Sequence, residues 1–433
     1  MRFTAALRRT SIALLALLLC VYLCINYLCI DRCTSLVAAD WPQFRGPSGQ
    51  GISNDANIPI EWSDEKNVKW KLDLPGAGFS SPIVVGDKVF VTCYSDAKDE
   101  VLKNLKRHLI CVDRSSGKIL WNKTVAAEAG ELSNRNQAHH GYTSNTPVSD
   151  GRRVYVLFGN SGVFAFDMNG NQLWQKTVGR ENAVFYGSGA SPILYKDMLI
   201  VTAACESRSI RALTKSTGKE LWKAESVALS KVYTTPVIAK NKDGVDELLV
   251  SACDELWSIN LKTGKVKWYA ATKVDTAPVP SPVVADGVVY AIGGRSGGRT
   301  AITIGGKGDM TKTNVLWSLS GSSYVPSPVI YKGHLYWVDD KGVAVCVDTK
   351  TGKIVEQKRL GGKFYASVVL IQGKLYALSR YDGTYVLEAS PKLTRLAHNK
   401  LSDKSDASGS PAVSDGQLFL RSDKCLYCIE AGK

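Results

Sequence analysis

The chain has 433 residues, 45% apolar and 22% charged, with a formal net charge of +14. Those proportions exclude disordered and collagen-like classes, and a chain of this length can be one closed repeat fold as well as two or three domains. The basic excess comes with no aromatic-basic motif of a nucleic-acid module; much of it is single lysines in Gly-Lys turns (Lys118, Lys219, Lys265, Lys353), so a solvated rim and no nucleic-acid partner are expected.

Arg2, Arg8 and Arg9 precede an uncharged, mostly apolar run from Ser11 to Ile30, and Val37-Ala38-Ala39 precedes Asp40. Basic head, apolar stretch and small residues are the parts of a secretory signal cut after Ala39. The run of about twenty residues is also long enough to span a bilayer. Residues 1–39 are therefore expected to be a signal peptide or a signal-anchor, with the membrane reached only through an uncleaved anchor, residues 11–30. Ile30-Asp31-Arg32 before Cys33 is unlike a lipoprotein box. The protein is expected in the periplasm or cell envelope. Losing residues 1–39 removes four arginines and one aspartate and lowers the charge from +14 to +11. Residues 40–65 read as an N-terminal extension and 66–433 as the folded domain.

Of eleven cysteines, four (Cys20, Cys24, Cys29, Cys33) lie in or beside the targeting segment. The odd remainder argues against a full disulfide framework. Cys111, Cys346 and Cys428 fill a slot taken elsewhere by Ala165 or Ala212, as small buried hydrophobes do. Cys425 and Cys428 are three apart on an alternating strand and face opposite sides, so neither zinc nor redox chemistry is expected.

From residue 66 onward the chain repeats itself. A Ser/Thr-Pro pair followed by an aliphatic recurs at Ser81, Thr146, Ser191, Thr235, Ser281, Ser327 and Ser410, and Ser367-Val368 is the same slot without proline. Most of the eight copies are 40 to 46 residues apart. After the Pro comes an aliphatic strand, a turn such as Val85-Gly86-Asp87-Lys88, a second strand, a variable loop and a third strand like Val163-Phe164-Ala165-Phe166-Asp167. The fourth follows a Thr-Gly-Lys-like turn and usually carries tryptophan: Trp121, Trp174, Trp222, Trp268, Trp317. Strand residues alternate, with no helical period between them. Asp113, Asp167 and Asp348 are placed to cap the Gly turns. Four strands per forty-odd residues is the period of a propeller blade. The eighth copy stops before its fourth strand, while Val68-Lys69-Trp70-Lys71-Leu72 is an orphan fourth strand. The fold expected is all-β: an eight-bladed β-propeller of four-stranded antiparallel blades, its ring closed by the N-terminal strand. Trp70 joins the other five tryptophans as structural.

With these motifs the chain resembles the pyrroloquinoline-quinone-like (PQQ-like) repeat propellers, a family that includes the quinoprotein alcohol dehydrogenases and the propeller lipoprotein of outer-membrane assembly. It is most similar to exported members of planctomycete type, sharing Trp41-Pro42-Gln43-Phe44-Arg45-Gly46-Pro47, His140-Gly141-Tyr142, Gly294-Arg295-Ser296-Gly297-Gly298, Gly306-Lys307-Gly308-Asp309 and Tyr324-Val325-Pro326-Ser327-Pro328. The resemblance covers residues 41–431 and implies a fold without a reaction.

In a propeller the loop leading into the first strand and the loop between the second and third open on one face. The leading loops carry Phe79, Tyr142, Tyr186, Tyr233, Tyr324 and Tyr365. The between-strand loops add Arg295, Arg299, Asp339 and Asp340. This is an aromatic collar with mixed charge, the kind of mouth that holds a ligand. Two segments look long for a blade and are expected there: 122–145, with Arg135, His139 and His140, and 293–313, with Arg295, Arg299 and Lys307. The candidate ligand-binding residues are thus His140, Tyr142, Tyr186, Tyr233, Arg295, Arg299, Tyr324, Asp339 and Asp340, with no catalytic or metal residue assigned.

The favoured function is a non-catalytic binding or scaffold propeller for an envelope protein, peptide or glycan, without a cofactor. The alternative is a PQQ-dependent dehydrogenase of alcohols or sugars, with calcium at Asp339 and Asp340. Against it, the chain has neither the adjacent cysteines whose disulfide lies over the quinone in those enzymes nor the haem-attachment Cys-x-x-Cys-His of some of them. A hydrolase built on His139 or His140 lacks a Gly-x-Ser-x-Gly elbow.

Overall fold

The computed structural model describes residues 40–97, 102–128, 141–181 and 186–432. Residues 1–39, expected to be a signal peptide or signal-anchor, and the histidines at 139 and 140 lie outside the described residues.

Each repeat folds as an antiparallel meander because its β-branched and aromatic runs are separated by tight Gly turns. Blade 1 is Ile83–Val85, Lys88–Ser95, Lys106–Asp113 and Ile119–Ala126. Seven further sheets repeat that order around the ring. In blade 8 the strands Ala412–Ser414, Gln417–Arg421 and Cys425–Glu430 are completed by Val68–Asp73, antiparallel to Cys425–Glu430 with Trp70 opposite Cys428. The first and last blades are thereby locked together, and no sheet edge is left where the ring meets.

Second and third strands are buried on both faces, because each blade packs against two neighbours. Phe90 of blade 1 joins Val154, Val156 and Phe164 of blade 2, while Val89 and Val91 join Leu418 and Phe419 of blade 8. Period-two alternation therefore sends successive side chains into two different inter-blade cores.

The small slot in the third strand lies opposite the fourth-strand tryptophan: Cys111 faces Trp121, Ala165 faces Trp174, Ala212 faces Trp222 and Ala301 faces Trp317. The indole then reaches the next blade. Trp222 Nε1 donates to the Leu261 carbonyl at 2.8 Å, and its ring covers Gly264. Trp70, Trp121, Trp174 and Trp317 make the same donation to carbonyls of the following blade. Trp268 is the exception. Blade 5 carries Gly308–Asp309 and Thr311–Asn314 where its turn should be, and Gly308–Asp309 adds a parallel fifth strand to the outer edge of blade 4. Trp268 Nε1 turns instead to the buried Glu247 carboxylate at 2.7 Å, which Ser258, Asn241 and Lys267 also contact. Those donors hold the Glu247 carboxyl below its usual range against the opposing effect of burial.

Asp113, Asp167 and Asp348 cap their turns: Asp113 accepts from the Ser116 backbone at 2.8 Å, Asp167 from Asn169 and Asn171, and Asp348 from Thr351. The seven cysteines from Cys93 onward are free thiols.

The turn glycines explain the recurrent Thr-Gly-Lys. Gly264 has φ +71° and an added Cβ would lie 2.6 Å from the Trp222 ring, whereas Gly86 has φ +57° and open space around it. Gly86→Ala is expected to cost about 1–2 kcal/mol for the left-handed backbone alone. Gly264→Ala should cost about 2–5 kcal/mol, adding displacement of the indole. Urea denaturation of both variants measures the difference; equal losses would mean that the tryptophan does not impose the glycine.

Candidate functional site

The eight Ser/Thr residues that begin the repeats meet around the axis. An extended chain entering its strand presents every second side chain to the axis, and the hydroxyl at this position accepts the backbone N–H of its counterpart in the preceding blade. Ser81 N–H donates to Thr146 Oγ1 at 2.9 Å, Thr146 to Ser191 at 3.0 Å, Ser191 to Thr235 at 3.0 Å and Thr235 to Ser281 at 3.2 Å. Ser281 donates to Ser327, Ser327 to Ser367, Ser367 to Ser410 and Ser410 back to Ser81, each at 2.9 Å. The circle is closed, and all eight residues are buried.

Two residues earlier a second layer lines the same axis. Its bulky members are Phe79, Tyr233, Val279, Val325 and Tyr365. Its small members are Ser144, Gly189 and Ser408, so blades 4 to 7 carry the continuous apolar wall. Together with Tyr186 and Tyr324 they enclose a cavity of about 220 Å³.

The cavity has a floor. The segment after Asp40 crosses the face opposite the mouth, where the first strands end. Trp41 exchanges both backbone hydrogen bonds with Val84, the Pro42 carbonyl accepts from Ser149, Gln50 Oε1 accepts from Val284 and the Gly51 carbonyl accepts from Leu370. Phe44 from this segment lines the axial cavity. Beside it Arg45 is 1% exposed and donates to the carbonyls of Gly49, Gln50 and Pro328, the residue after Ser327 of the circle. Burial pushes its pKa down to about 9, still above neutrality. The channel is therefore a blind well.

The predicted residues divide. Tyr186, Tyr233 and Tyr324 come together at the well. The Tyr186 and Tyr233 rings meet edge to face at 5.9 Å, and Tyr233 Oη accepts the Tyr186 N–H at 3.1 Å. Arg295 reaches across from blade 5, donates to Tyr186 Oη at 2.8 Å and lies about 6 Å from the Tyr186 and Tyr324 ring centres, within cation–π reach. Burial pushes Tyr324 up to about 12 and raises Tyr233, so both hydroxyls stay protonated at neutral pH.

The others are not part of its lining. Tyr142 is buried in a satellite cluster with Leu102 and Leu105 and stacks edge-on with Tyr94 at 5.1 Å. Arg299 is 5% exposed and is enclosed by the carbonyls of Ser320, Gly321 and Gly352. Asp339 Oδ1 is committed to the N–H groups of Lys341 and Val343 in its own turn, and Asp340 Oδ1 accepts the Tyr324 N–H at 3.3 Å. His140 falls outside the described residues. The segment 293–313 is not one mouth loop: residues 294–297 turn at the mouth, Gly298–Thr303 is the third strand of blade 5, and Lys307 belongs to the insertion at the outer edge of blade 4. The segment 122–145 likewise begins as the end of the strand Ile119–Ala126.

Sequence reasoning missed the hydroxyl circle as lining, the floor, and the small members of the second layer. A signal for the last was present, in the residue two before each Ser/Thr-Pro.

The quinone chemistry would need calcium, which takes roughly six to eight oxygen ligands. Among the described residues no group of three or more His, Cys, Asp or Glu could hold a metal ion, and Asp339 is spent on its turn. These residues do not supply that donor set.

The family described as outer membrane protein assembly factor BamB matches residues 70–242 and 106–358. The outer membrane protein assembly factor BamB of Yersinia pestis is 22% identical over 323 residues, 70% of this chain and 77% of that protein. A tetrathionate hydrolase of Acidithiobacillus ferrooxidans is 22% identical over 341 residues, covering 70% of this chain and 62% of the enzyme. Among solved structures, BamB from Moraxella catarrhalis superposes with a TM-score of 0.60 at 14% identity, covering 84% of this chain and 99% of that one. A europium-containing methanol dehydrogenase gives 0.63 at 11% identity, covering 88% and 89%. At these identities the structural likeness speaks for the fold.

Thr235→Val keeps the shape of the circle and removes the acceptor of the buried Ser191 N–H. A loss of about 1–3 kcal/mol is expected in urea denaturation. A loss below about 0.5 kcal/mol would mean the circle does not join the blades.

Proposed function

The chain belongs to the PQQ-like repeat β-propeller family to which BamB belongs, and from that premise we propose that it is an exported, non-catalytic recognition propeller of the cell envelope. Its ligand enters the axial well. The observation that carries this reading is the well itself: aromatic at the collar, hydroxyl-lined below and closed by Phe44. Concave, mostly apolar sites with a few convergent polar groups are where ligands bind. Among the described lining residues there is no His, Asp, Glu, Lys or Cys. A serine or threonine nucleophile needs an adjacent base, and the raised tyrosines are poor ones at neutral pH. The lining is suited to holding a molecule rather than transforming it. Envelope placement rests on the apolar N-terminal segment and on the assembly factors among the relatives.

The test offers the purified full-length protein random peptides displayed on phage and an array of envelope glycans, with Tyr233→Ala and Tyr365→Ala as variants. Selective retention by the wild type, weakened at least about tenfold in both variants, is the expected result; truncating an aromatic anchor typically has an effect of that size. A retention profile indifferent to both substitutions would overturn the well as the site. Calcium- and quinone-dependent alcohol oxidation by the same preparation would overturn the non-catalytic reading.

A further inference from the structure

We infer that the axial well is specific for a carboxylate carried on an apolar body, with the acid group on the hydroxyl circle and the body against the tyrosine wall. The inference rests on the well being the ligand site and adds the sign and shape of what it takes.

The first observation is the state of the eight hydroxyls. Each accepts one backbone N–H, as at Thr146 and Ser281. A hydroxyl has one proton and two lone pairs, so each retains a proton, and none of the eight donates to a protein acceptor among the described residues. By itself the circle would suit a donor or an acceptor, since hydroxyls rotate.

Charge decides between them. Arg45 is buried under the floor beside Phe44, bonded only to carbonyls, with its Nη1 unpartnered and no carboxylate within ion-pair distance among the described residues. A buried cation without a counter-charge is costly, and its field turns hydroxyl oxygens toward it and their protons into the well. Arg295 supplies a second guanidinium at the rim, where it too has no carboxylate partner within ion-pair distance among the described residues and is held by Tyr186 and the Tyr324 ring.

The acids of the mouth face lie outside the lining. Asp406 pairs with Arg380, Asp340 and Asp423 accept the N–H groups of Tyr324 and Gly78, and Asp275 accepts that of Ser296. The well thus has a guanidinium beneath its floor, another at its rim and no acid in its described lining.

The shape of the ligand follows from the wall. Val279, Val325, Tyr233 and Tyr365 give one continuous apolar side, and the described lining contains no Asn, Gln, Asp or Glu to bond the many hydroxyls of a sugar. A free apolar acid and the C-terminal carboxylate of a polypeptide share this chemistry.

The experiment is calorimetric titration of the full-length protein with four probes: 4-phenylbutanoate, 4-phenylbutanamide, and a pentapeptide ending in phenylalanine as the free acid and as the amide. Each acid is expected to bind at least about tenfold tighter than its amide, from the charge-assisted hydrogen bonds that only the carboxylate accepts. Arg295→Gln, at the exposed rim where folding is not at stake, should weaken the acids by about threefold to tenfold and leave the amides unchanged. Arg45→Met, with its fold checked by circular dichroism, should do the same from beneath the floor. A peptide acid at least about tenfold tighter than phenylbutanoate would identify a chain terminus as the source, and equal affinity a small organic acid; both support the inference. Acids and amides binding equally, with both weakened by Tyr365→Ala, would overturn the carboxylate specificity and leave the well as a ligand site. Binding of no probe would overturn the inference, while the phage and glycan retention test still judges the recognition reading on its own.

Discussion

The structure depends on the closed circle of eight hydrogen bonds around the axis. Each joins a backbone N–H of one blade to the hydroxyl of the next, the last returning to Ser81. The amides are buried, and a buried N–H without a partner costs about 1–3 kcal/mol. Each blade therefore depends on its successor for an acceptor at the point where the sheets crowd most closely. The Ser/Thr-Pro pair follows from this. The hydroxyl residue supplies both the donor and the acceptor of the circle, and proline can come next because it has no N–H to place. At the rim the indoles perform the corresponding task, each bonding a carbonyl of the following blade. Blade 4 satisfies its indole another way: where the insertion takes the place of the next turn, a buried glutamate accepts from Trp268.

The N-terminal segment changes what that ring encloses. Without it, eight blades would surround an open channel. With Trp41, Pro42, Gln50 and Gly51 bonded to four different first strands, the channel becomes a well with Phe44 as its floor. The same segment buries Arg45 at the base with no carboxylate within ion-pair distance among the described residues. A structural plug and an electropositive end are thus one feature of the chain. The mouth is asymmetric, with Tyr186, Tyr324 and Arg295 joined over the side where the apolar wall is continuous.

Most of the fold was legible in the sequence because its signals are local and repeated. Ser/Thr-Pro recurs seven times and the strand-four tryptophan six, among repeated Gly turns, and Trp70 stands alone in a way only ring closure explains. The site was partly legible. Tyr186, Tyr233, Tyr324 and Arg295 could be placed at the mouth from topology. That Arg299 turns into the carbonyls of Ser320 and Gly321 could not, since nothing in its neighbours marks which carbonyls lie in reach. The floor was illegible for a plainer reason: Phe44 and Arg45 act on residues up to 283 positions away, such as Pro328, and carry no periodic signature of that contact. Ser144, Gly189 and Ser408 were overlooked because the same position is aromatic in other blades and drew the eye, although their small size gives the well its room.

The central question is whether the axial well, closed below by Phe44 and with a guanidinium at its base and rim, takes an acid. A crystal structure of the protein soaked with 4-(4-bromophenyl)butanoate, with bromine located by anomalous scattering, addresses this directly. A single bromine peak is expected on the axis among Tyr233, Val279, Val325 and Tyr365, with the carboxylate on the hydroxyls below it. An empty well, or bromine bound only on the outer blade edges, would contradict it.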